Sequence, residues 1–470
     1  MESVTFNLPE QGTLRALTLL LFVSIAVPDN AHAQSWPPKL NGANNGTVTL
    51  KTDDFLKIPE SVVALRMKDG TASFIVAKTA PTVDLAFHRN LGTNAVSRRL
   101  WSSWGDIGLA SDGRVYCGIG DHGNAVGGDA SCFIYCWDPK QKTLTQVVDM
   151  NVVIPPGNGQ PAWSKVHAKI DEGADGGIYF CCTLNDGNRA KLPTYKWNKT
   201  LPGAQLYRYD PATGKTTVFA NLPPKRCTAT SILDRKRNIW WCNLEAGEGN
   251  ALWGLDLKSG KPVAHTPDGT IAFNRNFALA ADGSIHFNGE NSIHHFHPTT
   301  GKVTKTDASF IDSPGMRCST RESKAGHIYG ITHKTSQLFR YTPTNGKLKM
   351  LGPNWLAGSY TTVCLLSPDE RFLYYLPGSH GKAYLDGTAV IQYEIATARR
   401  KVLAFLAPPF EKHHNYVPAG TYGVKLTPDG RTLYINFNGH AADGIRPEKM
   451  RPNGFGLTAF AVVQIPQGER

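Results

Sequence analysis

Histidine, arginine and tyrosine recur at corresponding places in this sequence, in short segments that border apolar, strand-like runs. One set precedes a strand in six successive segments and comprises His167, Arg226, Arg275, Arg317, Tyr360 and Tyr422. A second set follows the next strand of each segment and comprises His122, Asn185, Glu245, Asn288, His333, His380 and His440. Loops more often carry Gly, Pro, Asn, Asp and Ser. The recurrence of ionisable side chains therefore indicates a functional site.

These residue types suit chemistry on an acidic sugar. The planar guanidinium of arginine binds carboxylate or sulfate through a fork of N–H donors, and histidine exchanges a proton near neutral pH. Together they predict removal of the proton beside a sugar carboxylate and cleavage of the glycosidic bond by β-elimination. The candidate catalytic residues are His122, His167, Tyr360 and Tyr422; the candidate substrate-binding residues are Arg226, Arg275, Arg317, His380 and His440.

The alternative for each of these residues is structural, because arginine and tyrosine in such loops also satisfy the carbonyl groups of neighbouring loops. His167 begins an apolar strand, and His122 lies in the Gly-rich segment Gly120–Asn124, where backbone can approach a ligand closely. These two histidines are the strongest candidates from the sequence.

A repeated unit positions both sets. Each unit contains a turn, a strand, a loop, a second strand and a second turn, as in the segments that begin at Asp112, Asp175, Asn238, Asp282, Gly326, Asp369 and Asp429. The strands are rich in β-branched and aromatic residues, and Asp-Gly or Gly-Lys turns separate them. The period is near that of a propeller blade. The sequence therefore predicts an all-β, seven-bladed β-propeller with four-stranded antiparallel blades.

The last recognisable strand ends close to the end of the sequence, so we expect an N-terminal strand to complete the last blade and remove its open edge. The segment Ser73–Lys78 is the predicted closing strand. The predicted divisions are a signal peptide at residues 1–33, a surface lead-in at 34–55 and the propeller at 56–470.

Residues 1–33 resemble a secretory leader, because a short apolar run from Ala16 to Val27 is followed by Ala31-His32-Ala33, a small-x-small cleavage pattern. The alternative is an uncleaved N-terminal anchor. Without the leader, the sequence has no other apolar run long enough to span a bilayer. A periplasmic or secreted location follows from this interpretation, and a closed propeller needs no partner, so a monomer is expected.

The composition restricts the function classes. With 41% hydrophobic and 19% charged residues, the chain is not of the disordered class, and nine cysteines among 470 residues do not make a disulfide scaffold. The formal net charge is +12. For an exported protein, this charge favours an acidic polysaccharide or oligosaccharide, an anionic lipid or a cell-wall polyanion as partner rather than a nucleic acid; a basic surface kept for solubility is the alternative.

The cysteines and one histidine cluster are interpreted as structural. Cys181 and Cys242 occupy the same repeat position, which is typical of small buried residues. One disulfide, such as Cys132 or Cys136 with Cys117, is an open alternative. His294, His295 and His297 fall on a predicted third strand, far from the loops, so they are not assigned to a metal site.

The repeat architecture resembles the seven-bladed polysaccharide lyases, especially the ulvan lyases. That resemblance implies an exported enzyme acting on acidic sulfated glycans, with His, Tyr and Arg at the channel mouth, here His122, His167, Tyr360, Arg226 and Arg275. The Asp-Gly and Thr-Gly-Lys turns also resemble the streptogramin-lyase and sugar-lactonase propellers. That second resemblance implies a divalent metal ion, calcium or zinc, held by residues such as Glu245, Glu248, Asn288 and Glu290. A non-catalytic propeller that binds a polyanion or a protein is the third interpretation.

Overall fold

The computed structural model describes residues 37–66, 73–91, 101–121, 130–155, 162–183, 203–245, 249–356, 359–443 and 456–470. These residues form seven sheets, each built mainly from antiparallel strands, and the seven-bladed propeller is confirmed. The helices are short and comprise α1 (Glu60–Arg66), α2 (Met150–Val153) and α3 (Ala407–His414), with 3₁₀ turns at Asp53–Leu56, Ala383–Asp386 and Gln467–Glu469. None of the described helices is long and apolar enough to cross a membrane.

The blades are numbered here along the chain, and each begins with its innermost strand. Blade 1 contains β4 (Gly108–Leu109), β5 (Val115–Gly120), β6 (Cys132–Asp138) and β7 (Thr143–Asp149). Blade 2 contains β8 (Lys165–Val166) and β9 (Asp171–Glu172), which both pair with β10 (Ile178–Thr183), followed by β11 (Gln205–Asp210) and β12 (Lys215–Asn221). Blade 3 contains β13 (Ser231–Asp234), β14 (Ile239–Leu244), β15 (Ala251–Asp256) and β16 (Pro262–His265).

The remaining blades repeat the same order. Blade 4 contains β17 (Phe273–Leu279), β18 (Ile285–Gly289), β19 (Ser292–His297) and β20 (Lys302–Lys305). Blade 5 contains β21 (Met316–Ser319), β22 (Ile328–Thr332), β23 (Gln337–Thr342) and β24 (Lys347–Pro353). Blade 6 contains β25 (Leu365–Leu366), β26 (Phe372–Tyr375), β27 (Ala389–Glu394), β28 (Arg400–Phe405) and an added strand, β2 (Ile75–Val76). Blade 7 contains β29 (Tyr416–Leu426), β30 (Thr432–Ala441), β31 (Ala459–Gln464), β3 (Thr82–Phe87) and β1 (Thr47–Lys51).

Burial is greatest on the second strand of a blade and least on the outermost strand. Strand β5 is buried at every residue, whereas β20 is exposed at every residue. The Asp-Gly turns reverse the chain between inner strands, and Gly113 adopts a φ of 89°, a conformation that a side chain disfavours. Aromatic pairs join neighbouring blades: Trp137 of blade 1 stacks on Phe460 of blade 7 with ring centroids 5.5 Å apart.

Blade 7 closes the ring with N-terminal strands, but not with the predicted one. Strand β3 lies between β31 and β1, and it pairs antiparallel with both, for example Leu85 with Ala461 and Val48. The predicted closing segment Ser73–Lys78 instead contributes β2, which pairs in parallel with β28 in blade 6. Part of the predicted lead-in at 34–55 is also a propeller strand, because Thr47–Lys51 forms β1. Val83 and Leu85, on one face of β3, are completely buried, whereas β2 is more exposed. This burial favours β3 over β2 as the strand that completes blade 7.

All nine cysteines are free and buried, so the described structure has no disulfide among Cys117, Cys132 and Cys136. Burial raises the pKa of the Cys136 thiol to about 11, because the thiolate would lose its hydration. His294, His295 and His297 lie on β19, the third strand of blade 4, as the repeat alignment predicted.

Candidate functional site

The inner strands surround a central channel with a cavity of about 440 Å³. Each blade supplies lining residues, because each begins with a strand that faces the axis. Residues in or next to the inner strands, together with loop residues that follow the second strands, form one end of the channel, which we call the mouth. The mouth residues described below are Trp104, Lys165, His167, Phe273, Arg275, Arg317, His333, Tyr360, His380 and Tyr422.

Arg317 is the centre of the mouth. Its Nε donates to Tyr360 Oη at 2.5 Å, and its Nη1 donates to the carbonyl of Arg275 at 3.4 Å. The guanidinium carbon lies 5.1 Å from the ring centre of Tyr360 and 5.7 Å from that of Tyr422. These contacts fix the direction of the guanidinium and stabilise its charge through the aromatic rings.

The charge of Arg317 is buried without an acidic partner. The residue is only 6% exposed. Among the residues that the structure describes, no carboxylate oxygen lies within the 4.0 Å limit of an ion pair with Arg317 or Arg275. Buried charges are normally paired, because desolvation of an isolated ion costs several kcal/mol. The arginine pair therefore has the properties of an anion receptor.

His167 orients Arg275. Its Nδ1 lies 2.7 Å from the carbonyl oxygen of Ala229 and must donate a proton there, because a carbonyl can only accept. Its Nε2 then accepts from Arg275 Nη1 at 3.5 Å. The imidazole that makes both contacts is neutral, with its proton on Nδ1. His167 thus connects blade 2 to blade 4 across the inner strand of blade 3.

Tyrosine and histidine side chains of blades 5, 6 and 7 surround Arg317. His380 Nδ1 lies 2.5 Å from Tyr422 Oη, and the His380 ring is 5.5 Å from that of Tyr360. The His333 and Tyr360 ring centres are 5.4 Å apart. These four side chains and Arg317 therefore form one contiguous group with donors, acceptors and positive charge.

The electrostatic field of this group sets its protonation states. Burial and the Arg317 and Arg275 charges lower the pKa of His333 to about 4. The same causes hold the pKa of His380 below its ordinary value, whereas burial raises the pKa of Tyr422 well above its ordinary value. Near neutral pH both imidazoles are therefore neutral and Tyr422 is a phenol, so Tyr422 donates its hydrogen bond to His380 Nδ1.

Trp104 and Lys165 complete one side of the mouth, although the repeat pattern did not predict them. Trp104 lies 4.9 Å from Tyr422 and 5.7 Å from His380, measured between ring centres. Lys165 is fully buried, and its Nζ lies 5.1 Å above the Trp104 ring. Trp104 precedes the first recognisable repeat, so no alignment of repeats could have selected it. Lys165 lies two residues before His167 and was recognisable only as a strand residue.

Two of the predicted binding residues lie elsewhere. Arg226 forms an ion pair with Asp268 and donates to the carbonyl of Gly249 at 3.1 Å, and it is not among the residues lining the channel. Ala229 and Thr230 occupy the place in blade 3 where Arg226 was expected. The His440 ring packs against Tyr384, with centroids 5.6 Å apart. His122 lies outside the described residues, as do Asn185 and Glu248.

The residues considered for a metal ion have other contacts. Glu245 accepts a hydrogen bond from Asn274 Nδ2, and Asn288 Nδ2 donates to the carbonyls of Phe273 and Met316 at 3.1 and 3.0 Å. Within the described ranges, no three His, Cys, Asp or Glu side chains are grouped closely enough to hold a metal ion. Among the described residues, Glu245, Asn288 and Glu290 are therefore not brought together as a set of metal ligands.

Comparison with known proteins finds only distant structural similarity. No protein-family model matches the chain, and no curated protein sequence does. The solved structures that resemble it include a chain of a mitotic checkpoint complex (9% identity, TM-score 0.47, covering 85% of this chain and 94% of that one). Hydrazine synthase of Kuenenia stuttgartiensis is similar at 13% identity and TM-score 0.48, covering 74% and 96%. An oligogalacturonate lyase in complex with manganese is similar at 11% identity and TM-score 0.47, covering 85% and 96%. Likenesses at this level do not assign a function.

Proposed function

We propose that the protein binds an acidic, uronate-containing glycan at the channel mouth and cleaves it by β-elimination. The observation that supports this proposal most strongly is the buried Arg317 guanidinium, which lacks a carboxylate partner among the described residues and lies beside Arg275. A ligand carboxylate would supply the missing negative charge and accept a planar pair of N–H donors.

The surrounding side chains can carry out the proton transfers. In the proposed step, Tyr422 Oη takes the proton from C5 of the uronate while its own proton passes to His380 Nδ1. The C5–H electron pair forms the C4–C5 double bond, and the C4–O bond breaks. The carboxylate bound by the arginines delocalises the developing negative charge, which their guanidinium groups stabilise.

Tyr360 is proposed to protonate the departing oxygen. Its Oη accepts a hydrogen bond from Arg317 Nε, so the phenolate that remains after proton transfer lies beside a guanidinium. The protons then balance: one passes from C5 through Tyr422 to His380, and one passes from Tyr360 to the leaving group. Solvent exchange restores both residues.

The net charge of +12 agrees with an anionic substrate, since it raises the local concentration of polyanions. Export to the periplasm or the medium is part of this proposal, and it rests on the leader-like sequence of residues 1–33.

A lyase assay tests the proposal. The purified chain is incubated with polygalacturonate, alginate, ulvan and glycosaminoglycans, and ultraviolet absorbance of the unsaturated uronate is followed. We expect activity on at least one polymer, and we expect His380→Asn to lower kcat about 100-fold or more, the usual range for loss of a general base. His440→Asn is the matched control, because His440 lies outside the group.

Two results would redirect the assignment. Binding of a polymer without any rise in absorbance would make the protein a non-catalytic polyanion binder. Activity that is lost with a chelator and restored by calcium or zinc would favour the metal-dependent alternative.

A further inference from the structure

The channel contains a third unpaired cation below the mouth. Five cationic side chains line the cavity, namely Lys169, Arg275, Arg317, Arg321 and Lys425. Arg321 pairs with Glu370 at 2.7 Å, and Lys425 pairs with Asp106. In the described part of the chain, Lys169 resembles the two arginines, because no carboxylate oxygen lies within the 4.0 Å limit of an ion pair with its Nζ.

Lys169 lies deeper in the channel than the arginines. It follows His167, the neighbour of Arg275, by two residues, which span at most roughly 7 Å of extended chain. Its backbone N–H donates to Ser231 Oγ at 3.0 Å, and Ser231 lines the channel beneath the mouth. Lys169 therefore lies about one strand repeat below the arginine pair.

Below Lys169 the lining becomes richer in apolar side chains, and the cations towards that end, Arg321 and Lys425, are already paired with Glu370 and Asp106. Leucines on inner segments of blades 3, 4, 6 and 7 line this end of the cavity: Leu233, Leu279, Leu365, Leu366 and Leu426. An anionic group would lose its hydration there without gaining a partner. The lining cations that have no ion-pair partner among the described residues therefore lie at two levels, with two guanidinium groups above and the ammonium group of Lys169 below.

We propose that Lys169 is a specificity-determining residue that binds a second anionic group of the ligand, so that the preferred unit is a uronate sulfated on the opposite side of the same ring. This inference rests on the proposed function. In a pyranose ring C2 and C5 are opposite atoms, so a 2-O-sulfate and the carboxylate on C5 point in opposite directions. A single sugar unit therefore presents two anions on opposite sides of its ring, as cations at two successive levels of a channel require.

The environment of Lys169 agrees with this assignment. Burial lowers the pKa of its ammonium group, with the positive charge of Lys425 acting in the same direction, while Asp106 and Asp171 oppose the shift. Asp106 is already neutralised by Lys425. A bound sulfate would stabilise the ammonium form of Lys169 more directly than the more distant carboxylates do.

Calorimetric titration with two sugars that have no glycosidic bond at C4 tests the inference. The probes are methyl glucuronide and methyl 2-O-sulfo-glucuronide. We expect the wild-type protein to bind the sulfated sugar about tenfold or more tightly, corresponding to one good charge-assisted contact. Lys169→Met should remove this preference and leave the affinity for the unsulfated sugar within about threefold.

Two further variants serve as controls for charge and for position. Lys169→Arg preserves the charge and should preserve the preference, even if the methionine variant does not fold. Lys302→Met, on the exposed strand β20, should change neither affinity. A preference for the sulfated sugar that survives Lys169→Met, or an equal loss of both affinities, overturns the inference. If the wild-type protein binds neither sugar, the proposed function fails; if it binds both equally, the specificity inference alone fails.

Discussion

Arg226 and Arg317 show how the partner of a buried arginine decides what the residue does. Both residues are 6% exposed, and both precede or begin an inner strand. Arg226 pairs with Asp268 in a loop of the same blade, whereas Arg317 contacts tyrosine, a carbonyl group and aromatic faces. The first arrangement is complete within the protein, and the second has room for an anion.

This difference predicts opposite effects on stability. Asp268→Asn removes a carboxylate that pairs with the buried Arg226 charge, so we expect the melting temperature to fall. Arg317→Met removes a charge that has no ionic partner among the described residues, so the melting temperature should stay the same or rise. Differential scanning calorimetry of the two variants tests this; a larger loss in Arg317→Met than in Asp268→Asn would contradict it.

Histidine protonation should make the fold sensitive to acid. Burial lowers the pKa of His88 and His286 to about 3 and, together with nearby arginines, that of His333 to about 4. Between these values and the ordinary 6.5, the unfolded chain binds more protons than the folded one. The free energy of unfolding should therefore be highest above about 6.5 and fall as the pH falls towards 4.

Urea unfolding at a series of pH values measures this effect. The variant His286→Gln cannot be protonated in this range, so its stability should depend less steeply on pH than that of the wild-type protein. A stability that is constant from pH 6.5 to 4 would show that these imidazoles are not buried in the neutral form.

Several residues of the mouth were predicted from the sequence. Repeat alignment selected His167, Arg275, Arg317, Tyr360 and Tyr422, because corresponding positions in and next to the inner strands lie at one end of the channel. It misplaced Arg226, because Asp268 is separated from it by 42 residues and the pairing leaves no local pattern. Ala229 and Thr230 face the channel there, but their small side chains carry no chemical signal.

At the scale of elements, strand β3 closes the propeller and β2 only adds to an edge. Leu85 on β3 is completely buried, whereas Ile75 on β2 is 45% exposed. We expect Leu85→Ala to lower the free energy of unfolding by about 2–5 kcal/mol, as core truncations do. Ile75→Ala should change it by less than about 0.5 kcal/mol. Chemical denaturation compares the pair, and equal losses would mean that β2 contributes to closure as much as β3 does.

The sequence predicted most elements but not the partners of the N-terminal ones. Asp-Gly turns and alternating apolar residues define strands within each repeat, since these signals are local. The choice between β2 and β3 as closing strand depends on contacts with residues nearly 400 positions away, such as the pairing of Leu85 with Ala461. Short apolar segments offer similar local patterns, so long-range packing decides between them.

For the whole molecule, nine buried thiols replace the disulfide that the sequence left open. We expect the native protein to react with a thiol reagent at almost none of its nine cysteines and the denatured protein to react at all nine, because burial both excludes the reagent and raises the thiol pKa values. Colorimetric thiol titration before and after denaturation tests this. A denatured count of seven would show that one disulfide forms.

The number of repeats determines the number of blades, and the global fold follows from it. Function does not follow in the same way, because one propeller fold can carry many unrelated functions. What distinguishes this chain is the set of side chains that its blades bring to one mouth.

The most direct measurement is the calorimetric affinity of methyl glucuronide for the wild-type protein, Arg275→Met, Arg317→Met and Asp268→Asn. If the arginine pair is the receptor for the ligand carboxylate, each arginine variant should bind about tenfold or more weakly, and Asp268→Asn should bind as the wild-type protein does. Unchanged affinity in Arg317→Met, or an equal loss in Asp268→Asn, would contradict the account.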